Sequence, residues 1–167
     1  MRHAIRAITV AALSLVVACG EDNVQPAYGD RSVRAVYQSA NCGRNQASSH
    51  ATWIDSRAQL DVAYRRARSM TLGTKKPLPE VQFDTHGVVL IELGQRPTAG
   101  YLLRLASQRL VMDKGDGLIT FSVDKPAGVA AQVITSPCLF VAVPRGDYVG
   151  VRALSTDGTI RAQTTLP

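Results

Sequence analysis

Few side chains in this sequence could carry out catalysis or bind a metal ion. After the first 18 residues the chain has two histidines, His50 and His86, and no Gly-x-Ser-x-Gly, Cys-x-x-Cys, His-Glu-x-x-His or phosphate-loop motif. Asp84 and His86 could contribute to a metal site, but no third ligand lies at a useful spacing. Cys42 could form a reactive Cys–His pair with His50 or His86, but a disulfide at Cys42 is the stronger interpretation. The sequence therefore predicts a protein that is not an enzyme and has no cofactor or metal.

The start of the chain has the organisation of a bacterial export signal. Arg2 and Arg6 supply positive charge, and residues 7–17 form an apolar stretch too short to remain as a membrane span. The sequence Val16-Val17-Ala18-Cys19 resembles the bacterial lipobox, in which small residues precede an obligatory cysteine. This resemblance implies cleavage before Cys19 and lipidation of its thiol. An ordinary signal peptide with an incidental cysteine is the alternative.

Lipidation would set the location of the protein. Several acyl chains on Cys19, palmitate among them, give a stable anchor where one chain would not. The next residue is Gly20 rather than an aspartate, which resembles the sorting signal of Gram-negative outer-membrane lipoproteins. We therefore expect a lipid-anchored protein of the bacterial cell envelope, in the outer membrane if the bacterium is Gram-negative.

The net charge does not indicate a nucleic-acid-binding protein. The chain has 19 basic and 13 acidic residues, for a formal charge of +6. Removing Arg2 and Arg6 with the signal leaves 17 basic residues, or +4. The one basic cluster is Arg65-Arg66-Ala67-Arg68, which we interpret as the solvated face of a helix. No interleaving of aromatic and basic residues suggests contact with nucleic acid.

The cysteine count predicts a disulfide. The chain has three cysteines, an odd number for an exported protein. If Cys19 carries lipid, Cys42 and Cys138 remain as a pair in an oxidising compartment. A Cys42–Cys138 disulfide is the simplest interpretation, and two separate buried thiols are the alternative.

One stretch, Gly87–Arg104, organises the predicted fold. Its apolar run Val88–Ile91 is typical of a buried strand. Residues 95–100 predict a loop in which Pro97 fixes φ, and the residues from Tyr101 onward begin another strand. We expect these two strands to form a hairpin around which the other β-structure packs.

The remaining pattern predicts many short strands and one helix. Residues Ser56–Ser69 begin with a Ser-x-x-Gln capping box and have apolar residues at helical spacing. The segments flanking Lys114–Gly117 predict a hairpin, and Val129–Thr135 predicts a further strand. The fold class is therefore mainly β with one helix (α+β): an antiparallel β-sandwich or barrel-like sheet with the helix packed on it.

The same pattern divides the chain into three parts. Residues 1–18 are the expected lipoprotein signal peptide. Residues 19–31 are polar and contain Pro and Gly, which is typical of a flexible tether. Residues 32–167 form a single β-rich domain.

The central stretch also resembles a known family. Val88–Tyr101 resembles the PrcB C-terminal domain family, in which a strand precedes Gly-x-x-Pro-Thr-Gly-Gly-Tyr and a further strand. Pro126, and Thr135–Cys138 followed by an apolar strand, also fit, so the resemblance covers roughly Phe83–Pro144. The sequence departs from the family at Ala99, where the family prefers glycine.

The resemblance carries expectations about function. The family takes its name from a lipoprotein subunit of a bacterial surface protease complex, associated with a subtilisin-like protease. It therefore implies a non-catalytic protein-binding or accessory module that stabilises a surface or periplasmic protease. A remoter likeness is to chagasin-type inhibitors of cysteine proteases, whose Asn-Pro-Thr-Thr-Gly-Tyr loop is similar to Arg96–Tyr101 with arginine in place of asparagine. Inhibition of a protease is thus the alternative function.

Two interpretations of this loop remain open. In one, the loop contacts a partner protein through the residues Arg96, Pro97, Thr98, Gly100 and Tyr101. In the other the loop is structural: Pro97 and Gly100 shape the turn, Thr98 bonds to the backbone and Tyr101 belongs to the core.

Overall fold

The computed structural model describes residues 31–69 and 77–167. The predicted signal peptide, nearly all of the predicted tether and the predicted lipidation site Cys19 lie outside these described residues. No helix in the described part of the chain is long and apolar enough to cross a membrane.

The described residues form nine strands and one helix. In chain order these are β1 (Arg34–Ser39), β2 (His50–Ile54), α1 (Arg57–Ser69), β3 (His86–Glu92), β4 (Leu102–Leu105), β5 (Val111–Asp113), β6 (Asp116–Asp124), β7 (Cys138–Pro144), β8 (Gly150–Ser155) and β9 (Ile160–Thr165). The first sheet has the order β1-β7-β3-β2, and the second has the order β4-β6-β8-β9 with β5 also paired to β6.

The two sheets pack face to face, and α1 covers the outer face of the first sheet. One apolar cluster fills the space between the sheets, and a second lies between the first sheet and α1. The predicted fold class is confirmed in its sandwich form, because the described strands form two sheets and no closed barrel. The sheets are not wholly antiparallel, however, because β6 and β8 pair in parallel.

The central strands of the first sheet explain the apolar runs in the sequence. Val89 and Ile91 of β3 belong to the cluster between the sheets, whereas Val88 and Leu90 belong to the cluster beneath α1. The strand β7 is divided between the two clusters in the same way. Both strands are therefore buried on both faces, which requires continuous rather than alternating hydrophobicity.

The predicted hairpin around residues 95–100 is wrong. β3 pairs with β2 and β7 in the first sheet, whereas β4 pairs with β6 in the second. The connection does not fold back on β3 because it continues alongside the chain that leads into β7. The backbone N–H of Leu93 donates to Pro137 O at 2.9 Å, and Arg96 pairs with Thr135. The predicted strand at 129–135 is also wrong, since that segment contains no strand.

The helix begins where its capping signal predicts. The Ser56 hydroxyl accepts a hydrogen bond from the Gln59 N–H at 3.4 Å, while the Gln59 side chain accepts one from the Asp55 N–H at 3.0 Å. Leu60 and Tyr64 are buried on the face toward the sheet. The capping box thus fixes the first turn, and the apolar stripe fixes which face packs inward.

The disulfide between Cys42 and Cys138 is confirmed. Their Cα atoms lie 5.9 Å apart, and both residues are fully buried beneath α1. The Cys42 N–H also donates to Ser136 O at 2.7 Å. The bridge therefore joins the loop before β2 to the first residue of β7, across a sequence separation of 96 residues.

We predict that removing this bridge lowers thermal stability. Cross-linking a loop of about a hundred residues stabilises a domain by about 4–5 kcal/mol on the chain-entropy argument, although measured effects are often smaller. The double variant Cys42→Ala/Cys138→Ala should melt well below the wild type in differential scanning calorimetry. Added reductant should lower the melting temperature of the wild type and leave that of the double variant unchanged. Equal melting temperatures of the wild type and the double variant without reductant would contradict the prediction.

Candidate functional site

The connection between the two sheets, residues 94–100, is held along most of its length; we call it the crossover loop. Arg96 and Thr135 exchange two backbone hydrogen bonds, at 2.8 and 3.0 Å. The Ala99 N–H donates to Ala131 O at 2.9 Å, and the Thr135 hydroxyl donates to Thr98 O at 3.1 Å. These bonds fix the crossover loop against the segment that precedes β7.

Glycines at both ends of the crossover loop are required by close backbone packing. Gly94 has φ of +78°, and a Cβ there would lie 2.5 Å from Ala47 O. Gly100 has φ of +95°, and a Cβ there would lie 2.8 Å from the Pro126 Cβ. Any other residue would therefore meet both backbone strain and a collision.

The segment held by the crossover loop presents apolar side chains to solvent. Val129, Val133 and Ile134 are exposed by 106%, 51% and 63%. We call residues 129–134 the apolar segment. Single exposed apolar residues are common on protein surfaces, but several in one short irregular stretch are typical of a contact surface.

A cavity of about 400 Å³ lies beside the crossover loop. Its lining residues are Leu93, Arg96, Tyr101, Val123, Lys125, Ser155, Thr156, Asp157 and Arg161. The guanidinium of Arg96 donates to Leu93 O at 2.7 Å and to Gln95 O at 2.8 Å. Since these acceptors are neutral, they leave the positive charge of Arg96 uncompensated. The positive charges of Arg96 and Lys125 therefore favour binding of an acidic group at the mouth of the cavity.

The acidic residue of the cavity, Asp157, is committed to its own turn. Its carboxylate accepts hydrogen bonds from the Ser155 hydroxyl and, at 2.8 Å, from the Thr159 N–H, and it pairs with Arg161 at 2.6 Å. The Ser155 hydrogen bond, followed by those from Thr159, holds the pKa of Asp157 well below its usual range. This carboxyl therefore stays ionised and cannot donate a proton near neutral pH.

The structure places the predicted contact residues in different environments. Pro97 and Gly100 are exposed, whereas Arg96 and Thr98 are half-buried. Tyr101 is half-buried and packs against the cluster between the sheets, as the structural interpretation expects. It is the Thr98 carbonyl, rather than its side chain, that accepts the hydrogen bond from Thr135. Contact with a partner through this loop stays a prediction.

Sequence reasoning missed the apolar segment as a surface. Its β-branched residues predict a strand, and propensity alone does not distinguish a buried strand from an exposed extended segment. The spacing gave no signal either, because the eight residues between the breakers Gly128 and Pro137 are enough for a strand. Within residues 31–69 and 77–167, no group of three or more His, Cys, Asp or Glu side chains could hold a metal ion.

Comparison with known proteins finds a similarity in the central part of the chain. Residues 88–144 match the family model described as PrcB C-terminal. The match runs from β3 through the crossover loop and the apolar segment to the end of β7, and it confirms the resemblance predicted from the sequence. No curated protein and no solved structure matches the chain. The likeness to chagasin-type inhibitors has no support from these comparisons.

We predict that Gly100→Ala destabilises the domain more than the matched change Gly128→Ala. Both glycines have positive φ, +95° and +78°, so each substitution carries a strain of about 1–2 kcal/mol. A Cβ at Gly128 meets nothing within 4 Å, whereas one at Gly100 collides with Pro126. Urea unfolding should therefore show the larger loss for Gly100→Ala. Equal losses would show that the packing against Pro126 does not constrain the loop.

Proposed function

We propose that this chain is a non-catalytic accessory module that binds and stabilises a protease complex of the bacterial envelope. The observation that carries the proposal is the exposed apolar segment fixed against the crossover loop. Both lie inside residues 88–144, which match the PrcB C-terminal family. That family takes its name from a subunit of a surface protease complex, which supports a protease as the partner.

The geometry of this surface suits protein binding. Covering apolar area contributes about 25 cal/mol per Å², and Val129, Val133 and Ile134 are branched side chains already exposed in the free protein. The hydrogen bonds to the crossover loop order the segment before binding, which lowers the entropy lost on association. The nearby charges of Arg96 and Lys125 would favour a partner with acidic groups at the rim.

We propose further that the protein acts at a membrane surface, anchored by acyl chains on Cys19. The lipobox-like sequence before Cys19 supports this location, and Gly20 favours the outer membrane. The predicted tether, residues 19–31, would connect this anchor to the domain.

The binding surface can be tested by charge substitution. In the double variant Val133→Asp/Ile134→Asp, two carboxylates would have to be desolvated at the interface, so cross-linking in intact cells should capture the subtilisin-like protease at least tenfold less. The matched control is Val149→Asp/Ile160→Asp, which changes two exposed apolar residues elsewhere and should capture as much protease as the wild type. Undiminished capture by the first variant would contradict the proposed surface.

Measurements of protease activity distinguish an accessory subunit from an inhibitor. An accessory subunit should copurify with an active protease and prolong its lifetime. An inhibitor should instead slow a papain-like protease at stoichiometric amounts, and Thr98→Ala should abolish the effect. Stoichiometric inhibition would overturn the accessory proposal.

The anchor has its own test. Cys19→Ser removes the thiol that accepts the lipid, so the variant should take up no labelled palmitate and should remain unprocessed by the lipoprotein peptidase. The wild-type protein should incorporate the label and partition with membranes. Failure of the wild type to take up fatty acid, with residues 1–18 retained, would refute the proposed location.

A further inference from the structure

The cavity beside the crossover loop combines apolar walls with positive charge; we call it the basic cavity. Its volume of about 400 Å³ is within the range of sites that hold small ligands. The crossover loop, the end of β6 and the turn between β8 and β9 surround it. Leu93 in its wall belongs to the cluster between the sheets, and Tyr101 and Val123 pack against that cluster. The apolar part of the wall is therefore supported by the core.

The charges that line the basic cavity do not balance. Asp157 pairs with Arg161 at 2.6 Å, so these two charges largely compensate each other. Arg96 and Lys125 also line the cavity, and neither forms an ion pair with an acidic side chain in the described part of the chain. Two positive charges therefore remain without a counter-charge, which an anion in the cavity would supply.

The guanidinium of Arg96 is held in place before any anion binds. It donates to Leu93 O at 2.7 Å and to Gln95 O at 2.8 Å. Both acceptors are neutral carbonyls, and a guanidinium has more N–H donors than these two bonds use. By contrast, the guanidinium of Arg104 pairs with a carboxylate, that of Asp124. Arg96 thus keeps its charge and spare donors, and its side chain loses little entropy when an anion binds.

The residues of the wall favour an organic carboxylate over an inorganic anion. Arginine binds a carboxylate through two parallel hydrogen bonds, and the exposed Lys125 adds a point charge. An inorganic anion would satisfy these charges but leave the apolar part of the wall uncovered. A carboxylate on a short aliphatic chain satisfies the charges and also covers apolar surface, which adds to its affinity.

We propose that the basic cavity binds a carboxylate carried on a short aliphatic chain. The carboxylate pairs with Arg96 and Lys125, and the aliphatic chain packs against Leu93, Tyr101 and Val123. A free carboxylic acid and an acidic side chain of a protein share this chemistry. The site goes beyond the proposed function, because it belongs to the domain itself and requires no protease.

The test is a titration of the isotope-labelled full-length protein with pentanoate, followed by heteronuclear NMR. Pentanoate should shift the amide signals of residues 93–101 and 155–161 in a saturable manner. Pentanamide has the same shape without the charge, and inorganic phosphate has charge without the aliphatic chain, so each should bind about tenfold more weakly. Absence of saturable shifts, or binding of either analogue as tight as that of pentanoate, would overturn the proposal.

Two capped tripeptides distinguish the sources of the carboxylate. One has the sequence alanine–glutamate–alanine and the other alanine–glutamine–alanine, each with an acetyl and an amide end. Binding of the glutamate peptide more tightly than both the glutamine peptide and pentanoate would assign the site to an acidic side chain of a protein. Binding of pentanoate more tightly than the glutamate peptide would assign it to a free acid. Both results support the proposed site, whereas tighter binding of the glutamine peptide than of the glutamate peptide would overturn it.

Variants of the two basic residues locate the site. Lys125→Glu reverses an exposed charge, so the affinity for pentanoate should fall about tenfold. The matched control Lys114→Glu changes an exposed lysine that does not line the cavity and should leave the affinity unchanged. Arg96→Gln should abolish saturable binding in a folded protein. Unchanged affinity in Lys125→Glu, or an equal loss in the control, would overturn the assignment even if Arg96→Gln does not fold.

Discussion

The burial of β3 and β7 on both faces is the constraint on which the rest of this structure depends. A pair of strands that is apolar on each side needs two covering layers, and neither layer can be replaced by solvent. The second sheet covers one side and α1 the other. The surface features follow from this arrangement. The crossover loop exists because the chain must leave the first sheet after β3 to enter the second.

The buried carboxylate of Glu92, at the end of β3, is a second constraint on the structure. A carboxylate that is 1% exposed must be paired, since an isolated buried charge costs several kcal/mol. Arg44 comes from the loop that contains Cys42, and Arg66 comes from α1, so the carboxylate holds two separate elements to the end of β3. Glu92 is also opposite Cys138 in the sheet. The ion pairs and the disulfide therefore secure the same end of the first sheet.

Local patterns could be predicted from the sequence, whereas pairings between distant segments could not. The capping box at Ser56 and the apolar runs of β3 and β7 act over a few residues, and the Cys42–Cys138 bridge followed from counting cysteines. The connection after β3 was mistaken for a hairpin because its partners, Thr135 and Pro137, are distant in sequence. For the same reason Arg66 was interpreted as solvated with its neighbours, although it reaches the buried Glu92. The exposure of the apolar segment depends equally on such long-range packing.

The place of β7 in the first sheet also affects the order in which the domain can fold. β7 lies between β1 and β3 in space but follows both by many residues in the chain. During synthesis the first sheet therefore stays incomplete, with the apolar edge of β3 uncovered, until nearly the whole domain has emerged. Contacts of such long sequence separation slow folding and leave partly folded chains prone to association. Until β7 inserts, the uncovered edge of β3 favours association of partly folded chains, and the disulfide cannot form before Cys138, the first residue of β7, has been made.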